Sequence, residues 1–229
     1  LDILRTYNFS YEASRHEEWW LFDSLGPFYD EQWFDDVLQI IKGGKEASVY
    51  LCKANASSET DYLAAKVYRP RSLRNLRKDH IYREGRPQLD SDGLNIIKER
   101  ELKAIMKHTS YGKDLMHTSW IEHEYKTLQG LFTAGCDVPK PFARGHNAIL
   151  MSYIGDEWNA APTLNGVKLE ISLAKDLFDR TLHNLNVMLQ NQRVHGDLSA
   201  YNILYWDGTI TLIDFPQAIN LLQNPNAYP

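Results

Sequence analysis

The chain has 229 residues, 43% hydrophobic, 24% charged and 12% aromatic, with a formal net charge of −5. That is enough apolar material for a packed core in one two-lobed domain or two small ones, and the acidic balance argues against general nucleic-acid binding. Two cysteines, Cys52 and Cys136, stand in no metal-binding spacing and offer no disulfide framework, which fits a reducing compartment. No apolar run approaches ~18 residues and no signal-peptide pattern opens the chain, so it reads as soluble, cytoplasmic and without a membrane partner. It begins without Met and stops in NPNAYP, which reads as a piece of a longer protein.

Residues 1–36 are acidic and aromatic-rich, with Trp19, Trp20, Phe22, Phe28, Tyr29, Trp33 and Phe34. Gly26-Pro27 is expected to split them into two short helical pieces. So many large rings need a surface to bury on, so the extension is expected to pack on the body; a partner-binding arm is the alternative. Gln39 to Ala54, QIIKGGKEASVYLCKA, reads as two strands joined by a turn at Gly43-Gly44. A glycine turn between strands can lay backbone N–H groups over phosphates, but GxxxxGK[ST] is absent, so it is not a P-loop. Tyr62 to Tyr68, YLAAKVY, forms a third strand with Lys66 at its centre. An ammonium in an apolar strand must be paired or solvated.

Between Arg69 and Lys113 there are 12 Lys/Arg against 6 Asp/Glu, in a chain that is otherwise acidic. With the turn signals REGRP and DSDG, residues 69–116 read as a basic, partly mobile insertion carrying one helical patch near Ile96 to Met106, and about Leu73 to Asp92 is expected to be its most mobile part. Trp120 to Ala134 is a helix, with Ile121, Tyr125, Leu128 and Phe132 at helical spacing and Gly135 as its stop. Glu124 lies at the border of the buried face, within reach of a strand lysine; Glu122 competes for that role but is expected to point more to solvent. CDVPKPFARG is a proline-broken link into a buried strand, Ala148 to Ile154, ending at Gly155. Val167 to Gln190 reads as the longest helix, with Leu169, Leu173, Leu177 and Leu185 on one side.

The densest stretch is Val194 to Gln217, VHGDLSAYNILYWDGTITLIDFPQ. Asp197 sits in a polar turn and Asn202 immediately precedes a short strand. Asp207-Gly208 is a two-residue hairpin signal, and TITLI alternates as the partner strand that delivers Asp214. Adjacent hairpin strands bring Asn202 and Asp214 out at one end. Two carboxylates and an amide then converge as a magnesium-assisted phosphoryl transfer requires, against the alternative of an acidic hairpin with solvated ends.

Glycine turn, strand lysine, helix glutamate, linking strand, long helix, HGD…N loop, hairpin and strand-end IDF occur in the order of protein-kinase-like folds, over about residues 38–217. GKEASVY, HGDLSAYN and IDFPQ together resemble the RIO family of atypical serine/threonine kinases. The resemblance implies an α+β, two-lobed kinase-like fold: a β-rich N-lobe over 37–150 with the insertion, and a helical C-lobe over 151–229 lacking the peptide-substrate subdomains. It implies that Lys66 holds the α and β phosphates of ATP and pairs with Glu124. Gly43, Gly44, Ser48 and Val49 would belong to the loop over the phosphates, with Ser48 as its side-chain contact. Met151 would be the gatekeeper, with Ser152 and Ile154 offering hinge backbone groups to adenine. Asp197 would be the catalytic base, oriented through the His195 turn, while Asn202 and Asp214 hold Mg²⁺, with Mn²⁺ as a substitute. In this family the residue matching Asp214 can itself be phosphorylated in an ATPase cycle, which extends that chemistry to Asp214.

Known members act in small ribosomal subunit maturation, so the resemblance implies a protein substrate or a ribosome-associated partner. Only 15 residues follow Asp214, with no APE motif, which leaves no platform for a peptide substrate. Two other readings compete. HGDxxxxN also occurs in aminoglycoside- and choline-type phosphotransferases, against which GKEASVY and IDFPQ count. The other is a nucleotide-gated binding module, in which ATP orders the insertion and exposes a partner surface.

Overall fold

The computed structural model describes residues 7–44, 46–69 and 84–224. The chain is α+β and divides into two compact units, Leu1–Asn75 with Pro141–Tyr153, and Leu76–Lys140 with Ile154–Pro229.

The first unit is a helix on a five-stranded antiparallel sheet. Helix α1 (Arg15–Asp30) starts at a capping box, in which Ser14 and Glu17 satisfy each other's backbone donors. It is one continuous helix with Pro27 inside it, where the sequence predicts a break. Proline removes one helical hydrogen bond, but Trp20, Leu21, Leu25 and Phe28 on both sides of it are buried in one core, and that burial outweighs the loss. Gly26 is a contact site instead of a hinge, since a Cβ there would overlap the Tyr7 ring.

Strands β1 (Phe34–Gly43), β2 (Ala47–Ala54), β3 (Tyr62–Tyr68), β4 (Pro141–Arg144) and β5 (Ala148–Ser152) lie in the order β1-β2-β3-β5-β4. The first strand thus begins inside the stretch assigned to the aromatic extension, because Phe34 and Val37 belong to the sheet's core. The proline of β4 is tolerated because that strand is at the sheet edge. Side chains alternate across the sheet with a period of two. Tyr50, Cys52, Leu63, Ala65, Val67, Ala148 and Leu150 pack with the residues of α1. The amide of Asn147 donates to Ser24 Oγ at 2.9 Å, and His146 lies 2.9 Å from the Asp23 carboxylate, fixing α1 to the β4–β5 turn.

The second unit holds α2 (Glu99–Met106), α3 (Ser110–Thr133), α4 (Ile171–Gln190) and two two-stranded pieces, β6 (Arg193–Val194) with β9 (Ile219–Asn220) and β7 (Ile203–Trp206) with β8 (Thr209–Leu212). Its core gathers Leu128, Leu131, Val138, Leu177, Val187, Met188, Ile203, Ile210, Leu212 and Phe215. At 24 residues α3, not the 20-residue α4, is the longest described helix, and it starts ten residues before the periodic apolar pattern does. Its N-cap is Thr109, whose hydroxyl accepts from Gly112 N at 3.0 Å. A Cβ at Gly112 would collide with the Ala104 carbonyl, so close packing on α2 governs this first turn and hydrophobic spacing does not report it.

Of the stretch expected to be most mobile, residues 73–83 lie outside the described residues. The remainder is well anchored. Leu89 N donates to Ser119 Oγ at 2.9 Å, Ile96 N to Gln88 O at 2.7 Å, and Leu89 and Ile96 are buried.

Candidate functional site

In the first unit, Gly44 N donates to Ala47 O at 2.9 Å, closing a tight turn between β1 and β2. A Cβ at Gly44 would lie 2.7 Å from that oxygen, so the turn requires glycine. Gly43 is paired with Ser48, and Val49 with Lys66. Lys66 is opposite Ile149 on its other side, and Met151 is opposite Ala64. By alternation Val49, Lys66 and Met151 share the sheet face away from α1. Lys66 is buried on that face, with its ammonium 5.6 Å from the centroid of the Tyr68 ring.

Ser48 departs from expectation. It is opposite Val67 and faces α1, is almost fully buried, and bonds the Tyr50 hydroxyl. Tyr50 in turn donates to the Glu17 carboxylate, and its own ionisation is pushed well up by burial and then by Glu17. A phosphate on the Lys66 face would not meet the Ser48 hydroxyl, because residues 48 and 49 point to opposite faces. Ser152 ends β5, opposite Leu63, and Ile154 is the first residue of the second unit after that strand.

In the second unit the loop and hairpin are locked together. Asp207 and Gly208 both have positive φ, 46° and 77°, the conformation of a tight two-residue hairpin. The pairing Ile203↔Leu212 is continued by Ile213 N donating to Asn202 O at 2.9 Å. Asp214 therefore emerges beside Asn202. The Ile213 carbonyl accepts from His195 Nε2 at 3.0 Å, and the Phe215 ring lies 4.6 Å from the His195 ring. With both neighbours fixed, Asp214 is held at φ 72°, a costly conformation for a non-glycine residue, and its side chain is turned outward.

His195 Nδ1 accepts from Asp197 N at 3.4 Å, so Nε2 carries the ring proton. Burial lowers the His195 pKa, partly opposed by its bond to Ile213 and by the charges of Asp214 and Asp197. The imidazole is thus a neutral brace joining the Asp197 loop to the strand end that carries Asp214. Gly196, at φ 80°, makes this possible, since any Cβ there would collide with the Gln217 carbonyl. The side-chain nitrogen of Asn202 donates to Asp197 O at 2.8 Å and to Asp197 Oδ2 at 3.1 Å. Both amide hydrogens are spent, which leaves Asn202 Oδ1 as an oxygen donor.

Asp197 and Asp214 are exposed while Asn202 is buried. Carboxylate and amide oxygens fit a hard cation such as Mg²⁺, which takes one or two carboxylates and fills the remaining positions with phosphate oxygens and water. Among the described residues no three His, Cys, Asp or Glu form a metal cluster.

Glu124 and Glu122 on α3 are both buried, which corrects the expectation that Glu122 points to solvent. A Cβ at Gly93 would touch Glu122 Oε1 and the Lys126 ammonium, so the DSDG turn covers Glu122. Neither Gly196 nor Phe215 was given a role of its own in the sequence reading. Gly196 was legible as the small residue inside HGD and Phe215 as the aromatic of IDF, but their packing on Gln217 and His195 was not.

A family model described as the RIO domain matches residues 48–228. A serine/threonine-protein kinase RIO1 from Chaetomium thermophilum is 30% identical over 195 residues, 80% of this chain and 35% of that protein. A RIO-type serine/threonine-protein kinase Rio1 from Haloferax volcanii is 29% identical over 192 residues, 82% of this chain and 56% of its own length. The chain therefore spans from about a third to just over half of these relatives. Among solved structures, a Rio2 kinase–ADP/Mg²⁺–phosphoaspartate complex from Chaetomium thermophilum superimposes with a TM-score of 0.60 at 19% identity, covering 95% of this chain and 60% of that one.

Proposed function

The chain belongs to the RIO family of atypical kinases, and from that premise we propose that it performs ATP- and Mg²⁺-dependent phosphoryl transfer as a serine/threonine-type protein kinase or ATPase. The observation that carries this reading is the joining of three groups in one unit: Asn202 bonded to the Asp197 carboxylate, and Asp214 set beside Asn202 by the Ile213–Asn202 backbone bond.

Asn202 Oδ1 and Asp214 are the proposed Mg²⁺ ligands, and bound Mg²⁺ neutralises charge developing on the phosphates. Lys66 is proposed to hold the α and β phosphates and to pair with Glu124. Gly43, Gly44 and Val49 cover the phosphates through backbone groups, and Met151, Ser152 and Ile154 receive adenine. Asp197 accepts the proton of the attacking hydroxyl as the new P–O bond forms and the bond to the β–γ bridging oxygen breaks, releasing ADP. In the ATPase form of the reaction, the Asp214 carboxylate attacks instead. The aspartyl phosphate is then hydrolysed to phosphate and free carboxylate.

No described helix is long and apolar enough to cross a membrane, and the two cysteines are free. A cytoplasmic location and a protein substrate or ribosome-associated partner complete the proposal. The small-molecule phosphotransferase reading draws no support from relatives that are themselves RIO kinases.

The test is incubation of the full chain with γ-labelled ATP and Mg²⁺. Acid-stable label on protein identifies serine/threonine transfer; label released by hydroxylamine identifies the aspartyl phosphate. Labelling and phosphate release no greater than those of an Asp197→Ala/Asp214→Ala variant would overturn the reading.

A further inference from the structure

Against Phe215 the second unit encloses a cavity of about 290 Å³, counting its open mouth, lined by Arg86, His123, Thr127, Arg193, Asn220 and Gln223. No carboxylate lines it among the described residues, and none of the proposed ATP or Mg²⁺ residues belongs to it.

Two guanidinium groups line it. Arg86 is held in place by Pro216 O, 3.3 Å from both terminal nitrogens, and by Ala218 O. Arg193 opens β6 and is only partly exposed. Its single side-chain hydrogen bond among the described residues runs from Nη1 to Gln192 O at 3.2 Å, and it forms no ion pair there. Burial alone lowers its pKa, the mark of a guanidinium taken from water without a counter-charge. A bound anion would offset that cost.

His123 reports the same field from inside the cavity. Its Nε2 is 2.8 Å from Pro87 O. Burial first, and then Arg86, Arg193 and Lys126, push its pKa down to about 4, so the ring is neutral near pH 7. Arg86, Arg193 and Lys126 all act on it in the same direction. The cavity therefore offers the Arg193 guanidinium, which has no ion pair among the described residues, with the Thr127 hydroxyl and the Asn220 and Gln223 amides as further donors.

We propose that this cavity is an oxyanion site for a phosphate-class ligand, either free phosphate or the phosphoryl group of a phosphorylated side chain. Guanidinium forks suit oxygen pairs of phosphate or carboxylate, but hydroxyl and amide donors distributed around the same space suit a tetrahedral anion better than a planar one. A ligand here would tighten the segment holding Asp214, because Phe215 lines the cavity and packs on His195, while Arg86 grips Pro216 and Ala218.

The test is calorimetric titration of inorganic phosphate and of O-phosphoserine into the full chain, with chloride at matched ionic strength as the control. Both wild type and Lys66→Met should bind phosphate above the chloride control, while Arg193→Gln weakens it by about tenfold or more, the effect of losing a charge-assisted hydrogen bond. The phosphate-free melting temperature of Arg193→Gln should not fall, because the substitution removes an uncompensated charge. Thr127→Val provides a second reading should Arg193→Gln fail to fold, with weaker phosphate binding expected. Tighter phosphoserine binding supports the site and assigns it to a phosphorylated side chain; tighter phosphate binding supports it and assigns it to the free ion. Wild-type affinity in both Arg193→Gln and Thr127→Val, no binding above chloride, or loss of binding in Lys66→Met would each overturn the proposal.

Discussion

The Asn202 side-chain nitrogen bonds both the carbonyl of Asp197, at 2.8 Å, and its carboxylate, at 3.1 Å. One amide thus orients the proposed base and presents its oxygen to the proposed metal. Asn202→Ala is expected to lower single-turnover phosphoryl transfer by about 10²–10³-fold, as for other preorganised donors, and to raise the Mg²⁺ concentration needed for half-maximal rate. Aspartate at this position keeps an oxygen ligand but cannot donate to Asp197. Asn202→Asp should therefore recover Mg²⁺ dependence more than rate. Equal recovery of both would separate Asn202 from Asp197 orientation.

Gly196 combines φ 80° with a carbonyl where its Cβ would stand. Gly196→Ala must move the loop or the Gln217 peptide, at a cost of about 1–3 kcal/mol for the strained backbone alone. Chemical denaturation should show that loss, together with weaker activity, because the same loop carries Asp197. Wild-type stability for Gly196→Ala would mean that the loop relaxes freely.

His123 gives stability a pH dependence with a definite sign. Burial, Arg86, Arg193 and Lys126 hold its pKa at about 4, below the ordinary histidine value of 6.5. The unfolded chain therefore binds a proton that the native state refuses between those values. Stability is full above pH 6.5 and falls as pH drops toward 4, by about 3 kcal/mol from this residue. His195, lowered by its own burial, adds a loss of the same sign. His123→Gln keeps a donor for Pro87 O and should flatten the profile over that range in denaturant titrations at stepped pH. An unchanged slope would place the sensitivity elsewhere.

The chemistry-bearing motifs were legible because each needs a residue type at a fixed local position. Asp207-Gly208 reports the hairpin, and hairpin geometry puts Asn202 beside Asp214 without further information. What escaped was decided by packing. Pro27 reads as a helix break until the apolar residues on both sides of it find one core. Ser48 reads as a loop residue until strand alternation turns its side chain to the α1 face. The first ten residues of α3 have no apolar period, because Gly112 meets backbone there instead of a hydrophobic neighbour. Arg193 carries no motif signal, since nothing local tells that β6 pairs with β9 at Asn220.

The two exposed aspartates can be separated by one paired experiment. Asp197 sits on the loop, braced by Asn202, and is assigned the nucleophile's proton. Asp197→Ala should lower turnover by about 10²–10⁴-fold, the usual cost of losing a general base, with Mg²⁺–ATP affinity largely kept. Asp214 follows Ile213, whose amide is bonded to Asn202 O, and is assigned to the metal. Asp214→Ala should weaken Mg²⁺-dependent ATP binding as well as abolish transfer, and any hydroxylamine-sensitive phosphate should vanish with it. Asp214→Asn keeps one oxygen donor but loses the charge, so its affinity should fall between wild type and Asp214→Ala. The measurements are metal-dependent ATP affinity and single-turnover rate on the same preparations. Full Mg²⁺-dependent affinity in Asp214→Ala, with loss of it in Asp197→Ala, would reverse the two roles. The joining of Asn202 to Asp197 would then mark Asp197, not Asp214, as its partner at the metal.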